Sequence, residues 1–148
     1  MVNAVASAST SESSPSRRHF SIATYIVLWM LLVYWGALFY GTHTKVPEGL
    51  LPGNSDKFIH FWAYAGLGIL LMSFRSTFGV YPWISVFLCW VLLALYGVFD
   101  ELTQLLVNRN ADLNDWLCDL AGASTGLAIV TFVVWIFRTR LRSHFQKP

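Results

Sequence analysis

Charge is scarce in this chain. Asp, Glu, Lys and Arg together make up 12% of its 148 residues, where a soluble domain carries about a quarter. A surface built for water is therefore excluded over most of its length. The formal net charge of +2 rests on scattered carriers, so nucleic-acid binding is excluded as well. Cysteine is rare too. Cys89 and Cys118 sit in separate apolar runs, at depths differing by roughly 10 Å for a helix rise of about 1.5 Å per residue. A disulfide needs Cα atoms within about 7 Å, which predicts two free thiols. There is no internal repeat, no nucleophile motif and no glycine-rich loop to cradle phosphate. Proline stays out of the interior of the apolar runs: Pro47 and Pro52 shape a loop with Gly49 and Gly53, and Pro82 follows Gly79 at a turn that opens the third run, where a helix start tolerates its missing N–H.

What is abundant is apolar sequence, 55% of the chain, with a mean hydropathy of +0.52. It gathers in four runs, at 20–40, 57–74, 81–106 and 114–137. Crossing a bilayer takes about 20 helical residues, and about 17 suffice when polar ends reach the interface. The first run follows Arg17 and Arg18, as a signal peptide would. It is longer than the roughly 7–15 residues of a signal core, and Tyr40-Gly41-Thr42-His43 offers no small-residue cleavage site. It is read as a retained helix. Tyr81 and Trp83 at one level, and Trp35, Tyr40 and Trp62 at the other, fit interfacial belts. The expected fold is an all-α membrane protein, a bundle of four transmembrane helices with both termini cytoplasmic. Residues 1–16, with little to bury, are expected to form a disordered tail. Residues 17–140 form the membrane domain, and 141–148 a basic cytoplasmic tail.

Orientation follows from the basic residues. With the N-terminus inside, seven lie on the inner side (Arg17, Arg18, Arg75, Arg138, Arg140, Arg142, Lys147) and three outside (Lys45, Lys57, Arg109), as the positive-inside rule prefers. The acids distribute the other way. Of eight, only Glu12 is internal; Glu48, Asp56, Asp100, Glu101, Asp112, Asp115 and Asp119 all fall at or near the outer helix ends. His60 and Gln104 share their depth. Four bundled helices would bring these groups into one funnel.

Capping of helix starts accounts for some of this pattern, notably Asp56 and Asp112. It does not account for Asp100 and Glu101 near a helix C-terminus, or for Lys57 near an N-terminus, because the helix dipole disfavours each there. Mutual compensation across the bundle, with Arg109, is the simple resolution. Ionisable groups at membrane depth cost several kcal/mol unless partnered, which makes them functional candidates. Asp56, His60 and Tyr64 stack on one helix face, Asp100 and Gln104 on a second, and Asp112, Asp115 and Asp119 on a third. Near carboxylates, His60 is either a hydrogen-bonded core residue or a proton shuttle. The His and acid spacing matches no tight metal motif, so no metal and no cofactor are assigned. Gly122 and Gly126 form a GxxxG pattern that serves close helix packing. It works either within the bundle, against Gly66 and Gly68, or between two copies, which leaves a homodimer open.

These residues resemble the VanZ-like family of small bacterial membrane proteins. The resemblance rests on Asp56-Lys57-Phe58-Ile59-His60-Phe61, on Asp100-Glu101-Leu102-Thr103-Gln104, and on Arg109, Asp115, Gly122 and Gly126 in that order. The family usually has Asn four residues after the Asp of its last motif, where this chain has Asp119; an amide that donates is exchanged for a carboxylate. The resemblance implies a protein of the bacterial inner membrane with a link to the cell envelope. It does not imply antibiotic resistance, although the family is named for a protein associated with resistance to teicoplanin.

The leading functional expectation is an outward-facing polar site that binds or modifies an envelope lipid or lipid-linked headgroup. Lys57 and Arg109 would hold an anionic group, with Asp56, Gln104, Asp115 and Asp119 completing the ligand site. His60 with Asp100 or Glu101 would supply acid–base chemistry. An accessory or assembly protein whose polar network is structural is one alternative. A proton- or ion-coupled transporter is another, weakened by the lack of inverted repeats. The expected partners are membrane lipids.

Overall fold

The computed structural model describes residues 20–44, 55–79, 81 and 83–145. These residues form four helices: α1 (Ile22–His43), α2 (Ser55–Ser76), α3 (Trp83–Gln104) and α4 (Leu113–Phe145). The expected tail at 1–16, Lys45, Glu48 and the prolines at 47, 52 and 82 lie outside the described residues. At 22 residues each, α1, α2 and α3 are about 33 Å long, enough for a hydrocarbon core of about 30 Å. All four helices meet the length and hydropathy of a membrane span. α4 is longer, at 33 residues, and continues past the expected end at 137 because nothing in Arg138–Phe145 breaks a helix.

The protein is turned inside out relative to a soluble bundle. Its surface is large and apolar, with Trp29, Phe132 and Leu106 among the exposed residues, the last at 82%. Its interior mixes Tyr64, Leu67, Met72, Leu93 and Leu127 with buried His60, Asp100, Glu101, Gln104, Asp115 and Asp119. Such a surface suits hydrocarbon as the solvent.

Backbone proximity sets the architecture. α2 and α4 are the most closely packed pair. A Cβ at Gly122 would collide with the backbone of Phe61, and one at Gly126 with that of Ala65. From the other side, a Cβ at Gly68 would come within 2.8 Å of the Ala123 carbonyl oxygen. The GxxxG pattern therefore works within the chain. Gly66 does not belong to this seam as expected: it opens space for the Tyr34 ring of α1, whose hydroxyl donates to the Ala63 carbonyl at 3.0 Å. Gly97 on α3 makes room for Trp116, and the Trp116 indole donates to the Ala94 carbonyl at 3.1 Å. Trp35 packs edge-on against Tyr96 of α3 at 5.0 Å. Cys89 and Cys118 are free, as expected.

The connection from α3 to α4 carries part of the site. After a single 3-10 turn (Leu105–Val107), Asn108 adopts a left-handed conformation at φ 56, which Asn tolerates better than most residues. Its N–H bonds the Leu105 carbonyl, and the Arg109 N–H bonds that of Gln104. Asp112 then starts α4 as its N-cap, accepting from the Asn114 N–H at 2.9 Å. The short loop holds Arg109 over the end of the bundle.

Candidate functional site

The C-terminal ends of α1 and α3 and the N-terminal ends of α2 and α4 meet at one end of the bundle. All nine residues expected in the site converge there. On α2, His60 is 3% exposed, and its Nδ1 lies 2.9 Å from Asp119 Oδ1 of α4. One turn earlier, Asp56 faces Arg109, with Nη2 to Oδ2 at 3.6 Å. Lys57 lies between two acids of α4, 3.5 Å from Asp112 and 3.6 Å from Asp115. The Asn114 backbone N–H and side-chain amide, with Lys57 beside them, hold the Asp112 carboxyl below the usual carboxylate range.

On α3, Asp100 is fully buried. It accepts from the Thr42 hydroxyl at 2.9 Å and from the Gln104 amide at 3.2 Å, and His43 Nδ1 lies 3.8 Å away. Glu101 turns toward α4, where Oε2 accepts from the Asp112 N–H at 2.8 Å. His43 is itself held between the Phe39 carbonyl and the Thr103 hydroxyl, at 2.8 and 3.0 Å. Arg109 donates to the Thr42 carbonyl at 2.7 Å, at a helix C-terminus where a cation is favoured.

Two expectations change. The compensation of acids by Lys57 and Arg109 is only partial. These cations pair with Asp56, Asp112 and Asp115, whereas Asp100, Glu101 and Asp119 have neither Lys nor Arg within ion-pair distance among the described residues. His60, expected to work with Asp100 or Glu101, is hydrogen-bonded to Asp119, while Asp100 accepts from Thr42 and Gln104 and Glu101 from the Asp112 N–H. Charge counting alone could not separate these cases, because the helix rotations decide which acid meets which donor.

Thr42, His43 and Thr103, none of them among the expected site residues, build the α1–α3 side of the site. The available signal was weak: a polar pair closing the first apolar run at the same depth as the acids. Tyr64 and Tyr96 lie deeper, with rings 5.9 Å apart and both hydroxyls buried without a hydrogen-bond partner among the described residues. Two carboxylate oxygens are in the same condition, Glu101 Oε1 and Asp119 Oδ2, while Asp115 Oδ1 has no hydrogen bond but lies 3.6 Å from Lys57 Nζ. Two triads could each surround a cation. His60, Glu101 and Asp119 place one donor atom apiece within 4.8 Å of one another, as do Asp56, His60 and Asp115. Chemically, the arrangement offers acceptors in its interior and cations at its rim.

Comparison with known proteins locates this arrangement in a family. A family model described as VanZ/LLP1 matches residues 4–137. No curated protein and no solved structure matches the chain. The match takes in all four spans and every polar residue of the site, and the chain belongs to the VanZ/LLP1 family.

Proposed function

We propose that the polar end of the bundle is a recognition site for the headgroup of an envelope lipid or lipid-linked precursor, open to the outer face of the cytoplasmic membrane. One observation carries this reading: buried oxygens of Glu101 and Asp119, without a hydrogen-bond donor among the described residues, share this end of the bundle with the rim cations Lys57 and Arg109. A headgroup supplies what each layer lacks. Its hydroxyl or ammonium groups would donate to Glu101, Asp115 and Asp119, and its phosphate would lie against the rim cations. Lys57 is the more available of the two, with its side chain 44% exposed and its ion pairs no closer than 3.5 Å. Orientation is supported by the opposite end, where Arg75 and Arg138 lie in keeping with a cytoplasmic position. His60 and Asp119 form the pair best placed to move a proton should the headgroup be modified.

The test is native mass spectrometry of the purified chain with phosphatidylglycerol, phosphatidylethanolamine or a polyprenyl phosphate added singly. Wild type is expected to retain a phosphate-bearing lipid. Lys57→Gln or Glu101→Gln should weaken retention by about tenfold or more, the scale of one lost charge-assisted contact, with abundance and helicity unchanged. Equal retention by the variants would sink the reading.

A structural role for the network is the second reading. It is favoured by the pairs already closed: Thr42 with Asp100, Gln104 with Asp100, and Glu101 with the Asp112 backbone. Under it, Glu101→Gln lowers abundance or melting temperature and no lipid is retained by wild type.

A further inference from the structure

We infer that His60, Glu101 and Asp119, with Asp115 beside them, form a binding site for one divalent transition-metal ion of the zinc and manganese type. This deepens the headgroup reading: the ion would take the place given there to headgroup donors at Glu101 and Asp119 and would hold a phosphate oxygen from below. It does not require that reading, because the metal can be assayed with no lipid present.

The first argument is electrostatic. The two rim cations are engaged by Asp56, Asp112 and Asp115. That leaves Glu101, 6% exposed, and Asp119, 1% exposed, with His60 as their nearest basic group. Each keeps one buried oxygen without a hydrogen-bond partner among the described residues, Oε1 and Oδ2 respectively. An unpaired buried carboxylate costs several kcal/mol at this depth. A divalent ion removes that cost for both at once.

The second argument is geometric. The three donors come from α2, α3 and α4, and their ligand atoms lie within 4.8 Å of one another. Three donors on a common ion, with bonds of about 2.1 Å, lie about 3.4–3.6 Å apart in tetrahedral or trigonal geometry. Side-chain adjustments of under about an ångström each therefore close the site. Asp115 shares His60 through the second triad; its Oδ1 is held only by the long Lys57 ion pair at 3.6 Å, so a fourth ligand is within reach.

Ligand chemistry selects the ion. An imidazole among carboxylates suits zinc, manganese or ferrous iron better than magnesium or calcium, which prefer all-oxygen shells. A site of three or four protein ligands leaves a coordination position for water or a phosphate oxygen.

The full chain, purified in detergent and stripped with EDTA, would be dialysed against Zn²⁺ or Mn²⁺ alone and its metal content measured. One ion per chain is expected, with a rise in melting temperature. Glu101→Gln and Asp119→Asn should each weaken binding by at least about tenfold, the scale of disturbing a metal shell, while Asp112→Asn leaves it unchanged. Failure of the wild type to take up either ion overturns the proposal, as does equal uptake by Glu101→Gln and Asp119→Asn. Should those variants not fold, X-ray absorption of the loaded wild type decides. One imidazole with oxygen neighbours supports the site, and sulfur ligation, which would point to Cys89 or Cys118, refutes it.

Discussion

The two ends of this bundle solve the membrane problem in opposite ways. At the polar end, all four helices meet and their side chains interlock through Thr42, His60, Asp100, Gln104 and Asp119. At the far end, α3 and α4 leave an apolar groove of about 730 Å³ between them, lined by Trp83, Phe87, Trp90, Phe132 and Trp135. The groove is bordered by Tyr81, whose ring lies 5.4 Å from the Arg75 guanidinium and 5.3 Å from that of Arg138. The difference teaches where close packing is needed. Hydrocarbon can fill an apolar gap at little cost, but it satisfies no carboxylate. Tight helix contact is therefore concentrated where polar groups need partners, and the glycine seam between α2 and α4 supplies it.

Substitutions that attack one end and spare the other would sharpen or break this contrast. The largest effect is expected from Gly126→Leu, which drives a side chain into the Ala65 backbone. It should cost about 3 kcal/mol or more, the upper range for overpacking, read as loss of monodisperse protein or a collapsed melting transition. Next comes Thr42→Val, which removes a donor from fully buried Asp100. About 1–2 kcal/mol of destabilisation is expected in thermal unfolding. Tyr81→Leu, at the far end, should cost about 0.5–1 kcal/mol through its cation–π contacts. Ala128→Leu, which fills the groove, should stay within about 0.5 kcal/mol of wild type; a loss matching that of Gly126→Leu would overturn the comparison.

The smallest effect concerns pH. The Asp112 carboxyl is held low in the fold, so its contribution is present above the ordinary carboxylate value of about 4 and fades as pH falls through its lower folded value. Asp112→Asn keeps an N-cap but drops the charge. It should flatten the acid limb of the stability profile slightly, measured by melting from pH 6 downward.

Much of the site was legible because polar residues are rare here and stand out against apolar runs. Asp56, His60, Asp100, Glu101 and Asp119 could each be placed by depth alone. Their pairing could not be placed, since it depends on how each helix is turned about its axis. α1 and α4 have almost no helical amphipathicity along their length, so their sequence gives little indication of that rotation. Thr42 and His43 escaped notice for a related reason: a polar residue closing a span is ordinary, and only Asp100 opposite makes Thr42 matter.

By itself, the sequence determined the spans and the depth of the ionisable groups within them, because hydrocarbon thickness ties both to a count along the chain. It also determined the Gly122–Gly126 spacing that makes close approach feasible. Tertiary structure alone decided that α2 is the helix approached, that Lys57 and Arg109 serve the rim acids, and that His60 meets Asp119. The physical reason is that a span's length is a property of one helix, whereas a buried charge finds its partner only through the relative rotation of several.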